Sequence, residues 1–145
     1  NGVRLQLMGK REGLPTPVLN SLDRTIMQTR NNSRLVLNLA FNYGGRVEIV
    51  DAIKSILTAH GQGALDGLHL DESTFARYLY CPDCPDIELV IRTGGEWRLS
   101  NFMLWRTAPA VFWRTPVLWP DFRREHLQEA IKIHAKQISD QNDDS

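Results

Sequence analysis

The chain has 145 residues, a length that suits one domain and leaves little for a second. Seventeen Lys plus Arg balance seventeen Asp plus Glu, and zero net charge argues against non-specific nucleic-acid or polybasic membrane binding, though not against a local basic pocket. Apolar residues make up 42% and charged residues 23%, no apolar run approaches the roughly 20 residues of a bilayer span, and the only two cysteines predict reduced thiols in a cytoplasmic protein. Asn1-Gly2-Val3-Arg4 leads at once into strand-like sequence with no signal-peptide pattern, which predicts a chain that begins part-way through a longer protein.

Val3 to Met8 alternates apolar and polar residues, a strand of period two closed by Gly9. Leu14-Pro15-Thr16-Pro17 is a turn, after which Val18, Leu22, Ile26 and Met27 recur at helical spacing up to the polar stop at Arg30 to Ser33. Leu35 to Phe41 is apolar apart from Asn38, which predicts a strand buried on both faces. Asn42-Tyr43-Gly44-Gly45 breaks it. A helix opens at Arg46, carries Val47, Ile49, Val50, Ile53, Ile56 and Leu57 as a broad apolar stripe, and ends at Gly61-Gln62-Gly63. Asp71 is placed to cap a short helix through Phe75, Tyr78 and Leu79.

Cys81 to Asp86 is a turn-rich connector, and Leu89-Val90-Ile91 is a short strand broken by Arg92-Thr93-Gly94-Gly95. Asn101 to Thr107 reads as a short helix and Ala110 to Trp113 as a β-prone run. Beyond Trp119-Pro120-Asp121 a last helix places Phe122, Leu127, Ala130, Ile131 and His134 or Ile138 on one face. Residues 1–138 are thereby expected to form the domain, and 139–145 a frayed polar tail. Strands alternating with helices predict an α/β fold with a mostly parallel sheet and helices on both faces.

Ligands of such sheets bind beyond the C-terminal ends of the strands. Ile91 to Asn101 leaves a buried strand, passes two glycines and presents Arg92, Arg98 and Ser100 before the expected helix. Glycines let backbone N–H groups approach an anion, and arginine forks add bidentate charged donors, so phosphate or diphosphate is the natural guest. The competing reading is a glycine turn whose surface arginines pair with Glu96. Asn42 to Arg46 has the same strand–glycine–helix grammar but no dinucleotide or P-loop spacing, and is read as a packing turn. Cys81-Pro82-Asp83-Cys84 follows a helix and precedes a strand, the wrong context for a redox pair, and only His60 and His69 lie near enough to complete a zinc site. Neither those two histidines nor His126 and His134 pair at metal spacing, and all four are expected to be exposed. Trp97, Trp105, Trp113 and Trp119 fit no single face and are expected in the core or at a subunit contact.

Asp86 to Glu96, then Arg98-Leu99-Ser100-Asn101-Phe102, Leu104-Trp105 and Val117 to Phe122, resemble the cis-prenyltransferases, the undecaprenyl diphosphate synthase family. Leu37 to Arg46 and Gly2 to Leu5 fit the same family, so the resemblance covers the chain to about Ile131. It implies addition of isopentenyl diphosphate to an allylic diphosphate with cis geometry, use of Mg²⁺, and a cytoplasmic homodimer, peripheral at the membrane, whose product is a membrane lipid. Arg92, Arg98 and Ser100 match the positions that grip isopentenyl diphosphate, and Gly94, Gly95 and Leu99 complete the expected substrate-binding set. The segment after Gly95 lies near the family's subunit contact, which gives Trp97 and Trp105 a role there.

Departures from the family pattern are equally specific. The family's Asp-Gly-Asn-Gly-Arg run, carrying the metal-binding Asp and the allylic diphosphate cradle, is not in this sequence, nor is the first strand and helix that bear it. No catalytic or metal-ligating residue is therefore assigned, and this polypeptide alone is expected to be inactive. Val111 stands where the family has a metal-ligating Glu, Trp97 where some members have His, and no Arg-x-Gly tail follows Ile138. The alternative role is a non-catalytic homologue that binds diphosphate or partners a dimer.

Overall fold

Apolar side chains at alternate positions make β1 (Val3–Met8), which pairs in parallel with β2 (Leu35–Ala40), Val3 opposite Leu35 and Met8 opposite Ala40. The computed structural model describes residues 2–63 and 70–143, without the side chains of 141–143. The crossover between the two strands is α1 (Thr16–Thr29), with a proline in its first turn, where a missing N–H costs nothing, and Leu22 buried. Its last turn is tied to the sheet: the Thr29 hydroxyl accepts from the Leu5 N–H at 3.0 Å, and Asn32 Nδ2 donates to the Val3 carbonyl at 2.7 Å. α2 (Gly45–Gly61) follows, then α3 (Glu72–Ala76), capped by Asp71 Oδ1 accepting from the Thr74 N–H at 2.7 Å. These elements belong to one compact unit, Asn1–Asp83.

Two acidic residues one turn apart on α2 fasten this unit. Buried Glu48 accepts from the Tyr80 N–H at 3.1 Å and from the Tyr43 hydroxyl, so its desolvated carboxylate is satisfied. Asp51 takes Lys10 Nζ at 2.7 Å and the Tyr80 hydroxyl at 2.6 Å. Lys10 first, then Tyr80, holds the Asp51 carboxyl below its usual range, while burial, then the bond to Asp51, pushes the Tyr80 phenol up. A carboxyl whose pKa falls on folding stabilises above its unfolded pKa and loses that contribution as pH falls through the folded value. Asp51→Asn should therefore lower the urea midpoint at pH 7, with the deficit shrinking below about pH 4. A deficit constant from pH 7 to pH 3 would sink this account.

The second unit, Cys84–Ser145, is built on β3 (Leu89–Arg92) and β4 (Val111–Arg114), again parallel, with Leu89 opposite Val111 and Arg92 opposite Arg114. A 3-10 turn at Trp119–Asp121 leads to α4 (Arg124–Asp143), which packs on both strands through the fully buried Ala130. Trp113 supplies the largest side chain of this small core.

The α/β class with parallel strands is as expected from the alternation of elements, and four expectations change. β2 is not buried on both faces: Leu35 and Leu37 are 57% and 46% exposed, because β1 is its strand partner and α1 packs on β1. Asn101 to Thr107 is a series of turns and bends, not a helix, since Asn101 and Met103 take left-handed backbone angles. The expected frayed tail is helical through Asp143. Both cysteines are disulfide-bonded rather than reduced; the Pro82-Asp83 turn between them keeps the two residues close enough for the bond. His69 lies outside the described residues. No helix among them is long and apolar enough to cross a membrane.

Candidate functional site

β3 and β4 each run three apolar residues and stop at an arginine, so Arg92 and Arg114 stand side by side at the C-terminal ends of two parallel strands. The chain then turns at Gly94 and Gly95, whose φ of +79° and +76° lie where only glycine is at ease. Their N–H groups donate to the carbonyls of Val117 and Thr115 at 2.9 Å each, and the Thr115 N–H donates to Arg92 O at 2.8 Å. The glycines thus fix the turn to the segment after β4 and do not offer their N–H groups to an anion. Past the turn, Ser100, Asn101 and Met103 all have positive φ, at 52°, 61° and 45°. Left-handed non-glycine residues cost of order 1–3 kcal/mol each and cluster at functional sites.

The arginines converge. Arg92 Nη2 and Arg98 Nε both donate to Glu96 Oε2, and Arg98 Nη2 donates to Glu96 Oε1, the two Arg98 bonds at 3.1 Å. Arg98 first, then Arg92, holds the Glu96 carboxyl below its usual range. This is the ion pairing that the surface-turn reading predicted, and for Arg98, 70% exposed, an exposed pair contributes little stability. Arg92 is different. Its side chain is only 31% exposed, and its buried Nε–H has no hydrogen-bond partner, an unusual state for a charged donor.

Both arginines also line a cavity of about 260 Å³. Apart from Thr107 the rest of its wall is apolar, including Val90 and Ile91 from β3, Phe112 from β4, and Leu99, Phe102 and Met103 from the turns after β3. Of the expected substrate-binding set, Arg92, Arg98 and Leu99 line this cavity, while Gly94, Gly95 and Ser100 do not. Charged forks beside an apolar hollow suit an anion that carries a short hydrocarbon group.

Sequence reasoning missed Arg114. Its guanidinium lies 5.1 Å from the centroid of the Trp97 ring, its Nη1 donates to Gly95 O at 3.2 Å, and Trp97 meets Phe112 edge-on at 5.5 Å. The repeated pattern of three apolar residues and one arginine in the two strands was the available signal. Of the four tryptophans, Trp113 is core, Trp105 is half-buried, and Trp97 and Trp119 are exposed. In the other unit a wider cleft of about 520 Å³ runs past Lys10, Arg11, Glu12, Asp51 and Tyr80. Among the described residues its two cations are both engaged, Lys10 by Asp51 and Arg11 by Asp23.

Parallel strands ending in arginines beside a glycine turn and an apolar hollow put a candidate anion site at the C-terminal strand ends of an α/β fold, where ligands of such sheets bind. The chain belongs to the undecaprenyl diphosphate synthase family, the cis-prenyltransferases: the family model described as "Putative undecaprenyl diphosphate synthase" matches residues 1–140. It is 49% identical over 130 residues to an isoprenyl transferase of Heliobacterium mobile, covering 90% of this chain and 50% of that protein. An isoprenyl transferase of Bacillus subtilis (strain 168) is 43% identical over 129 residues, with 89% and 50% covered. The structure of lavandulyl diphosphate synthase from Lavandula x intermedia, in complex with dimethylallyl diphosphate, matches with a TM-score of 0.87 and 32% identity, over 91% of this chain and 57% of that one. The chain spans about half the length of the curated relatives it matches.

The Mg²⁺ that the family resemblance implies does not fit the residues present. Val111 opens β4 opposite Leu89 and has no donor atom, and Trp97 is held against Phe112 and Arg114. Glu96, next to Trp97 in the chain, is engaged by two guanidinium groups. Among the described residues no three His, Cys, Asp or Glu side chains gather as a metal site would require.

Proposed function

We propose that this chain takes part in prenyl transfer, the addition of isopentenyl diphosphate to an allylic diphosphate with cis geometry, and that its Cys84–Ser145 unit holds isopentenyl diphosphate. The carrying observation is Arg92: a guanidinium with an unpartnered buried Nε–H, converging with Arg98 on one anion at the mouth of an apolar cavity. The diphosphate would displace Glu96 from the two forks, and the isopentenyl group would enter among Val90, Phe102 and Phe112. The arginines then hold the acceptor in place, so that orientation is supplied before reaction. Ser100 stays in the proposed set on resemblance alone, and the glycines act through the shape of the turn.

The head group and the hydrocarbon should contribute separately. Isopentenyl diphosphate is expected to bind about tenfold more tightly than inorganic pyrophosphate in calorimetry, since burying even a small alkenyl group contributes about 0.8 kcal/mol per CH₂. Equal affinities would remove the apolar cavity from the site. The family resemblance further implies a homodimer, which sedimentation at micromolar concentration would test; a monomer throughout would count against it.

A second reading has its own observation. Val111 leaves this half without the Glu the resemblance gives as a metal ligand, which favours a diphosphate-binding partner over a catalytic subunit. Incorporation of radiolabelled isopentenyl diphosphate with farnesyl diphosphate and Mg²⁺ separates the two. Product from this polypeptide alone would overturn the partner reading.

A further inference from the structure

We propose that Arg114 is a third, permanently charged contact for the diphosphate, supplying on this half of the site the neutralisation that a divalent metal would otherwise give. This rests on the diphosphate reading above.

Four observations place it there. In a parallel ladder, residues in register share a face, and so do residues two apart on one strand. Arg114 is therefore on the same face as Arg92, and on the same face as Phe112, and both of those line the cavity. Its guanidinium is held at the site by two independent contacts, the Trp97 ring at 5.1 Å and Gly95 O at 3.2 Å. Among the described residues no carboxylate forms an ion pair with Arg114, whereas Arg92 and Arg98 share one, Glu96. Two guanidinium groups thus share one carboxylate and the third has none, so the surplus at these strand ends is positive. A diphosphate, more highly charged than a carboxylate, is the anion that such a surplus favours.

The same arrangement is hostile to a metal. Three arginines repel a divalent cation, and the position at which the resemblance calls for a metal-ligating Glu carries Val111. Trp97 has acquired a different task, since its ring is the platform that holds Arg114 in place. Because a guanidinium is never deprotonated in proteins, the charge it supplies depends neither on pH nor on metal supply.

Calorimetric titration of the full chain with inorganic pyrophosphate, in EDTA and in Mg²⁺ at matched free pyrophosphate, tests this directly. The affinity should be the same in both to within about twofold, and Arg114→Met should weaken it about tenfold in EDTA, the loss expected for one charged donor. Arg114→Lys, which keeps the charge but not the planar fork, should retain part of the binding and covers the case in which the methionine variant fails to fold. Wild-type binding that requires Mg²⁺ would overturn the proposal. So would unchanged affinity in Arg114→Met beside a clear loss in Arg92→Ala, a result that leaves the diphosphate reading standing. No loss in either variant would bring down the diphosphate reading and this inference with it.

Discussion

Arg92→Ala should weaken isopentenyl diphosphate binding roughly 10- to 100-fold, the largest loss expected from any single side chain at the site. A hydrogen bond to a charged group contributes about 1.5–3 kcal/mol, and each 1.4 kcal/mol is about tenfold in affinity. Arg92 sits at the upper end because it is the less exposed of the two forks that meet Glu96, and because its unpartnered Nε–H leaves a donor ready for the ligand. Arg98, far more exposed, should lose less, about three- to tenfold on conversion to alanine. The two effects will not add, since both side chains now bind one carboxylate and would bind one ligand. Arg92→Lys separates charge from shape: a point charge cannot reproduce the fork, so most of the loss should persist. Unchanged affinity in Arg92→Ala, measured by calorimetry on protein with an undisturbed melt, would remove the anion site altogether.

The strands were legible because burial writes a period into them. Val3 to Met8 alternates, Leu35 to Ala40 and Leu89 to Ile91 are nearly continuous, and each became a parallel strand with the expected ends to within a residue. Periodicity reports what a side chain could bury, not what stands over it. The apolar run at Leu35, Val36 and Leu37 predicted cover on both faces, and the structure leaves all three exposed. The arginine loop was legible as a strand followed by a glycine turn, and the pairing of Arg92 and Arg98 with Glu96 is the one that the surface-turn reading expected.

What lay beyond the sequence was set by tertiary contacts. Nothing local says that residues 101–107 will refuse a helix. There the Arg106 carbonyl accepts from the Ile87 N–H at 2.8 Å, and the buried Arg106 guanidinium donates to Cys84 O, which ties the segment to the strand entry instead of to its own turns. Such long-range bonds override weak local preference. The repeat of three apolar residues and an arginine hinted at Arg114, but its neighbours Arg92 and Trp97 are many residues away in sequence, and only the register of β3 on β4 brings Arg92 beside it. The glycine N–H groups show the converse error. The residue type was right, but Val117 and Thr115 had already claimed the donors.

The second large effect is on stability, at the end of β1. Gly9 has φ +113°, and a Cβ built there would lie 2.1 Å from the Phe41 carbonyl oxygen, a main-chain atom fixed by the bond from Phe41 N to Met8 O at 3.0 Å. Alanine therefore meets two penalties, a backbone conformation that L residues rarely adopt and a clash that only movement of β2 can relieve. Strain of about 1–3 kcal/mol and overpacking of a similar size put Gly9→Ala at roughly 3 kcal/mol or more, a large share of ordinary stability. Gly13 supplies the control. Its φ of +82° carries the same backbone strain, but nothing lies within 4 Å of its would-be Cβ. Gly13→Ala should cost only about 1 kcal/mol. All four tryptophans lie in the Cys84–Ser145 unit, so far-UV circular dichroism and tyrosine signals, not tryptophan fluorescence, should follow the urea transition of both variants. Equal midpoints for Gly9→Ala and Gly13→Ala would show that β2 yields freely at Phe41, and that the close approach of the two strand ends contributes nothing to stability.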